Sequence, residues 1–191
     1  MRCFTCAKLS VKIICKTCQK HLFTTTMGTR KLGTLDVIYF YKYTSLAVLL
    51  HSKHKPEGHR VYKALAKMTV KPFIEEFLEA DDRDVYIVGV DEYVQGGYAH
   101  VAVLTRAMKT KHSIPLHASL MASNRVNYSG KSLDFRLKNP RNFAYKGPRN
   151  IDVILVDDIV TTGITLQEAQ RTLQTNGVNV LFALTLADVE E

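Results

Sequence analysis

The chain has 191 residues, 46% of them hydrophobic, and a formal net charge of +8. This length is enough for one compact domain with a small appendage. No uninterrupted apolar run is long enough for a transmembrane helix, and the basic residues and cysteines near the start do not fit a secretory signal. We therefore expect a cytoplasmic, reduced protein without a membrane span.

All four cysteines fall within the first 18 residues, in the order C-x2-C-x8-C-x2-C. Cys3, Cys6, Cys15 and Cys18 can supply two pairs of thiolates to one tetrahedral Zn2+. A disulfide would need an oxidising compartment, and a redox C-x-x-C would need a βαβ context; neither has support elsewhere in the chain. Four thiolates leave no open position, so the predicted zinc is structural. We assign residues 1–32 to a zinc finger with its linker and residues 33–191 to a second domain.

Charge alternates along the chain in four blocks. Residues 1–71 carry 14 lysines and arginines against 2 acids, and residues 106–150 carry 10 against 1. Residues 72–105 and 151–191 are acidic. Two basic blocks of this size favour contact with a polyanion, because cations that neutralise phosphates release counterions.

Hydrophobic periodicity predicts two strands and four helices between the finger and residue 108. The predicted order is a linking stretch 19–36, a strand 36–43, a helix 45–54, a loop 53–59, helices 60–68 and about 70–79, a strand 85–90, a loop 91–97 and a helix 98–108.

Residues 123–150 are polar, basic and poor in structural signals, which inside a compact domain indicates a functional or mobile loop. The basic side chains of this loop are interspersed with aromatic rings. The same mixture occurs in sites where bases stack on rings and basic side chains follow the backbone of a single strand. A lid over a ligand would use the same residues, and so would a solvated loop, so all three interpretations stay open. The candidate nucleic-acid contacts are Arg125, Lys131, Arg136, Lys138 and Arg141.

The segment from Val153 to Thr165 is the most informative part of the chain. A β-branched run predicts a strand covered on both faces, ending in Asp157 and Asp158. A helix should run from Ile164 to about Thr175, followed by an Asn-Gly C-cap and a last strand, 178–186. Strands that alternate with helices in this way predict an α/β fold with a parallel sheet flanked by helices.

The chemistry of this segment suits a phosphorylated ribose. Two adjacent carboxylates can hold a vicinal diol or a diol-bound metal. The turn that follows offers backbone N–H groups, hydroxyls and a positive helix end, which suit a phosphate. A helix entry capped by one threonine would not need two acids, a glycine and two further threonines. The predicted phosphate-binding residues are Thr161, Thr162, Gly163, Ile164 and Thr165.

This segment resembles the 5-phosphoribosyl 1-pyrophosphate (PRPP) motif of type I phosphoribosyltransferases. Together with the four-cysteine finger it resembles the ComF family of competence-associated proteins, over nearly the whole chain. Arg136 and Asn139 are similar to an Arg-x-x-Asn pair in that family's mobile loop. The family's Arg-Gly-Phe-Asn-Gln stretch stands here as Gly-Gly-Tyr-Ala-His, residues 96–100.

The resemblance implies a type I phosphoribosyltransferase-like domain that binds PRPP with Mg2+. By position and analogy, Gly89, Val90 and Asp91 would form a pyrophosphate-binding loop. The resemblance also implies a role in natural transformation, in which the protein handles incoming single-stranded DNA in the cytoplasm beside DNA-uptake and recombination proteins.

Three functions from different classes stay open at this stage. The first is a DNA-handling protein whose PRPP pocket is a ligand site. The second is an active phosphoribosyltransferase that transfers phosphoribose to a nucleobase or related acceptor. The third is a zinc-stapled adaptor. Oxopurine salvage enzymes, which resemble this motif, carry an Asp where Thr161 stands, and a threonine cannot exchange a proton with a base at neutral pH.

Overall fold

The β-branched run around Ile154 forms the middle of a six-stranded sheet. The computed structural model describes residues 1–22, 27–79, 83–90, 97–124, 126, 128 and 130–189. The sheet order is β1-β2-β8-β7-β3-β4, with β1 antiparallel to β2 and every other pair parallel. Its strands are β1 Gly28–Leu32, β2 Leu35–Lys42, β3 Val85–Gly89, β4 Ser113–Leu116, β7 Asp152–Val160 and β8 Asn179–Asp188. A separate antiparallel pair consists of β5 Leu120–Ala122 and β6 Phe143–Tyr145.

Helices cover both faces of the main sheet. They are α1 Lys16–Leu22, α2 Tyr43–Leu50, α3 Gly58–Met68, α4 Val70–Glu79, α5 His100–Ala107, α6 Leu133–Lys138 and α7 Ile164–Thr175, with a 3-10 turn at His51–His54. Apolar side chains of α2 to α5 form one core with Ile154 and Val156. Apolar side chains of α7 form a second core with Val153 and Leu155, on the opposite face of β7. The predicted α/β fold with a parallel sheet is confirmed.

The connections place a crevice at the carboxyl ends of β3 and β7. The chain leaves β3 through α5 toward β4, and it leaves the neighbouring strand β7 through α7 toward β8, on the other face. Strand order therefore reverses between β3 and β7, and in open α/β sheets ligands bind outside the carboxyl ends of strands at such a switch point.

Most predicted elements between residues 36 and 79 are present, but two other segments differ from prediction. The predicted linking stretch 19–36 contains the end of α1 and the edge strand β1, so that prediction was wrong there. Residues 123–150 are more ordered than predicted, since α6 and β6 lie within them. The sequence also gave no prediction for β4, a strand of four residues that contains Pro115.

The finger packs onto the main sheet domain. Ile14 is fully buried in the same core as α2 to α5, and Phe4 and Ile13 pack against that core. The division at residue 32 stays a prediction. Within the described part of the chain, no helix combines the length and apolar character needed to cross a bilayer.

Candidate phosphoribose site and zinc centre

Asp158 is buried and held by side chains from three helical elements. Its Oδ2 accepts a hydrogen bond from the Tyr62 hydroxyl at 2.9 Å and from Lys53 Nζ at 3.0 Å. His100 Nε2 lies 3.4 Å from the same oxygen. These residues belong to α3, the 3-10 turn and α5, so one carboxylate ties β7 to the helical layer on one face of the sheet.

The surroundings of Asp158 keep it ionised. Burial alone would raise the pKa of this carboxyl, but His100, Lys53 and Tyr62 outweigh burial and lower the pKa from 3.8 to about 2. Burial and the negative charge of Asp158 raise the pKa of the Tyr62 hydroxyl well above its ordinary value. Tyr62 is therefore a neutral donor to an ionised acceptor.

Asp157 has a different environment from its neighbour. Successive side chains of a strand point to opposite faces, so Asp157 lies on the face of β7 that α7 covers. It is partly exposed, and its Oδ1 accepts the backbone N–H of Asp158 at 2.8 Å. The strand does not end at these acids as predicted, because pairing with β8 continues to Val160.

The turn between β7 and α7 is shaped by Gly163. Its φ is +79°, in the left-handed region that favours glycine. A Cβ added there would overlap Leu32 Cδ1 and would lie 2.7 Å from Cδ2. Glycine at this position is therefore required both by the backbone conformation and by the contact with Leu32 of β1.

The predicted phosphate-binding residues Thr161, Thr162, Gly163, Ile164 and Thr165 lie together in this turn and the start of α7. The predicted helix Ile164–Thr175 and its C-cap are confirmed: Gly177 has a φ of +76°, and Val178 N–H donates to the Leu173 carbonyl at 3.1 Å. The first N–H groups of a helix have no intrahelical acceptor, so this turn can bind an anion.

Two arginines converge on Thr161. Arg30 Nη1 donates to the Thr161 carbonyl at 2.7 Å and to Asp188 Oδ1 at 2.9 Å. Arg136 Nη1 donates to the Thr161 hydroxyl at 2.6 Å. The turn thus lies between a cation from β1 and a cation from α6, which adds positive potential at the end of β7.

Gly89 and Val90 lie at the end of β3, beside β7. Gly89 pairs with Val156 of β7, and Val90 N–H donates to the Val156 carbonyl at 2.8 Å. Both residues are buried. Asp91, the third residue of the predicted pyrophosphate loop, lies outside the described residues.

The predicted DNA contacts occupy several different environments. Arg136 contacts the turn between β7 and α7, and it also donates to the Tyr128 carbonyl at 3.1 Å. Arg141 is buried, with its guanidinium 4.6 Å from the centroid of the Tyr128 ring. Lys131 and Lys138 are exposed; Lys138 pairs with Asp134 at 3.0 Å. Arg125 lies outside the described residues.

One part of the basic loop contacts the turn between β7 and α7. Among the described residues of this loop, Arg136 reaches the turn through the hydrogen bond from its guanidinium to the Thr161 hydroxyl. A groove of about 500 Å³ begins beside it, between α6 and α7, and is lined by Arg136, Leu137, Pro140, Phe143, Ile164, Glu168, Arg171, Thr172, Thr175 and Asn176.

The four cysteines form one cluster whose spacing fits zinc. All four Sγ atoms lie within 4.8 Å of one another, and the Cys6 and Cys15 sulfurs are 3.8 Å apart. A tetrahedron with Zn–S bonds of about 2.3 Å has edges of about 3.8 Å. Cys15 N–H donates to Cys3 Sγ at 3.2 Å. Burial would raise the pKa of Cys3, but such backbone donors outweigh it and lower the pKa to about 6.

The pKa of a second thiol in the cluster, that of Cys18, is changed in the opposite direction. Its hydrogen bond with Cys15, with burial and the other cysteines, raises the pKa of Cys18 to about 12. Thiolates this close repel one another, and a divalent cation relieves that repulsion. The four residues therefore fit a structural Zn2+.

Sequence reasoning missed four residues of the site: Arg30, Lys53, Tyr62 and His100. Arg30 was within the predicted linking stretch, although side chains from Gly28 to Leu32 alternate in exposure as on an edge strand. Lys53 was within a predicted loop. His100 had been noted as a departure from the ComF pattern, and that departure was the one available signal.

Comparison with protein-family models gives no match to this chain, and neither does comparison with curated proteins. Solved structures of phosphoribosyltransferases are similar to it. A Staphylococcus aureus hypoxanthine phosphoribosyltransferase has 19% identity, covering 73% of this chain and 71% of that one, with a TM-score of 0.41. An Aeropyrum pernix orotate phosphoribosyltransferase has 20% identity over 92% and 81%, with a TM-score of 0.40.

A Leishmania tarentolae adenine phosphoribosyltransferase has 12% identity, covering 85% of this chain and 95% of that one, with a TM-score of 0.42. All three TM-scores lie below one half. The function proposed next therefore rests on residues of this chain.

Proposed function

We propose that this protein binds a 5-phosphorylated ribose, in the form of PRPP with Mg2+, in the crevice between β3 and β7. The observation that carries the proposal is the position of the Asp157–Thr165 segment at the switch point of the sheet. A carboxylate pair, an anion-binding turn and two arginines meet there within one stretch of strand, turn and helix.

Each part of the segment has its own role in this proposal. The 5′-phosphate binds the N–H groups and hydroxyls from Thr161 to Thr165, where the helix end is positive. The partly exposed carboxylate of Asp157 faces the ribose hydroxyls and would hold Mg2+, which prefers one or two carboxylates together with substrate oxygens. The pyrophosphate extends toward Gly89 and Val90 at the end of β3, and toward Asp91, which follows them in the sequence.

Asp158 is the anchored member of the pair. Lys53, Tyr62 and His100 fix its carboxylate, and Lys53 places a positive charge beside it. Anionic groups of PRPP would otherwise be repelled by two adjacent acids. Lys53, Tyr62 and His100 therefore make the acidic end of β7 compatible with a phosphorylated ligand.

Titration calorimetry with PRPP and Mg2+ tests this proposal. Asp157→Asn and Thr165→Val should each weaken PRPP binding by at least tenfold, because each removes a direct ligand contact. Asp152→Asn is the matched control, since Asp152 starts the same strand at the opposite edge of the sheet. Absence of PRPP binding at millimolar concentration would refute the proposal, and so would equal weakening by the control variant.

The same experiment, extended to turnover, addresses the transferase alternative. Release of pyrophosphate from PRPP in the presence of a panel of nucleobases would show an active phosphoribosyltransferase. Thr161 offers no carboxylate to exchange a proton with a base, and its hydroxyl accepts a hydrogen bond from Arg136. We therefore propose binding as the primary activity and transfer as the alternative.

We also propose that the protein handles single-stranded DNA in the cytoplasm during DNA uptake, as its resemblance to the ComF family implies. Exposed cations on the basic loop support this role: Lys131 and Lys138 face solvent, and Lys131 Nζ lies 5.3 Å from the centroid of the Phe135 ring. A mixture of cations and rings suits a single strand. DNA-uptake and recombination proteins would be its partners.

Fluorescence anisotropy with a labelled oligonucleotide tests the DNA role. Charge reversal of Lys131 and Lys138 should weaken binding and reduce its salt dependence, because fewer counterions are released. Each reversal is made singly and compared with Lys146→Glu, which makes the same change of two charges just after β6. If the wild-type protein does not bind at low salt, the DNA role is wrong, and the zinc-stapled adaptor becomes the remaining non-enzymatic candidate.

A further inference from the structure

Two of the side chains that hold Asp158 come from a short segment that also touches the finger. We define this segment, residues 53–62, as the bridge. Lys53 and Tyr62 stand at its two ends, and both donate to Asp158 Oδ2. The bridge therefore connects directly to the proposed phosphoribose site.

The finger contacts the interior of the same bridge. Lys55 Nζ lies 5.9 Å from the centroid of the Phe4 ring, and Arg60 Nη2 donates to Met1 Sδ at 3.1 Å. Phe4 itself packs against the main core. Each bridge residue that meets the finger is two positions from a residue that holds Asp158.

Residues 54–57, 59 and 60 of the bridge are exposed, and close packing holds it at Gly58 and at Tyr62. Gly58 approaches the Ser52 backbone so closely that an added Cβ would overlap the Ser52 carbonyl oxygen and the Tyr98 hydroxyl. Ser52 is fully buried, and Tyr62 is fully buried. A shift of the start of α3 therefore moves the 3-10 turn with it, because densely packed segments transmit displacement.

We propose that the finger positions Asp158 through the bridge, so that an intact finger is required for full ligand affinity at a site formed by β7. This inference rests on the proposed phosphoribose function for its ligand, but the contacts that carry it are independent of any ligand. Lys53 and Tyr62 are positioning residues in this scheme. The finger acts on them by packing, through Met1 and Phe4.

Amide hydrogen exchange without ligand is the first test. Phe4→Ala should increase exchange in the bridge and in residues 157–163, while residues 166–175 of α7 keep their wild-type rates. Leu9→Ala is the matched control, because Leu9 lies in the finger but is 83% exposed. An increase confined to residues 1–18 overturns the proposal, and so does an equal increase in α7, which would indicate general loss of stability.

Ligand affinity in a double-mutant cycle is the second test. Phe4→Ala should weaken binding of ribose 5-phosphate about fivefold in the wild-type background and much less in a Tyr62→Phe background, because the two changes act along one route. If Phe4→Ala weakens ribose 5-phosphate binding by the same factor in both backgrounds, the proposal is overturned. Phe4→Leu, with zinc content measured, replaces Phe4→Ala if that variant does not fold.

The two tests separate this inference from the function on which it rests. If the wild-type protein does not bind ribose 5-phosphate or PRPP, the proposed function fails, and the exchange experiment still decides whether the finger positions residues 157–163. If the wild-type protein binds ligand but the effects of Phe4→Ala and Tyr62→Phe are additive, the proposed positioning of Asp158 by the finger is wrong, and the proposed function stands.

Discussion

Gly163→Ala should destabilise the protein through two separate effects that the structure allows to be distinguished. The first is backbone strain, because φ at this position is +79° and an L-residue in the left-handed region costs about 1–2 kcal/mol. The second is overpacking against Leu32, which is 8% exposed, and overpacking costs about 1–3 kcal/mol. The combined loss in free energy of unfolding is about 2–5 kcal/mol.

Gly97→Ala supplies the matched control for this substitution. Gly97 also has a positive φ, +89°, but among the described residues, its chain neighbours aside, an added Cβ there would meet no atom within 4 Å. Its cost should be the strain alone, about 1–2 kcal/mol. For a chain of this length each kcal/mol lowers Tm by about 2–4 °C, so Gly163→Ala should lower Tm by roughly 4–20 °C and Gly97→Ala by roughly 2–8 °C.

Thermal unfolding followed by circular dichroism measures both effects. In a Leu32→Ala background the Gly163→Ala change should lose its overpacking component and cost no more than Gly97→Ala. The reasoning is refuted if the two glycine variants have equal Tm in the wild-type background. It is also refuted if the Gly163→Ala cost is the same with Leu32 and with Ala at position 32.

Three further predictions concern the charged groups of the structure. Because the pKa of Asp158 is lowered from 3.8 to about 2, its contribution to stability is present above pH 4 and is lost as the pH falls through 2. This contribution amounts to about 2 kcal/mol, and Asp158→Asn should flatten the pH dependence of the free energy of urea unfolding in that range. An unchanged slope would assign the effect to another carboxylate. The protein should carry one equivalent of zinc by elemental analysis, and Cys6→Ser should abolish retention of zinc and lower Tm, while an unchanged zinc content would refute the four-thiolate site. Glu168 accepts the backbone N–H groups of Arg141 and Asn142 at 3.1 and 2.7 Å, so Glu168→Ala should increase proteolysis in the basic loop, and equal cleavage in both proteins would show that these bonds do not hold it.

The turn between β7 and α7 could be predicted from the sequence because its determinants are local. A glycine, flanking threonines and the helical period that follows specify a turn and a helix without reference to the rest of the chain. The four cysteines are local in the same sense, since all lie within 16 residues of one another along the sequence.

The partners of Asp158 could not be predicted, because they depend on packing between distant segments. Lys53 and Tyr62 precede Asp158 by 105 and 96 residues, and no short pattern marks either of them. The role of Arg136 shows the same limit on a smaller scale. The composition of the basic loop suggested that Arg136 contacts phosphate, but only the fold shows which turn Arg136 reaches.

The hydrogen bond from Arg136 to Thr161 bears on how the specificity of this pocket could change. An aspartate at position 161 would lie within reach of Arg136 Nη1, and the two would form an ion pair. The carboxylate would then be ionised and engaged with α6, unavailable to exchange a proton with a purine. Evolution toward oxopurine chemistry would therefore require paired substitutions at positions 136 and 161, and neither change alone would supply the missing base.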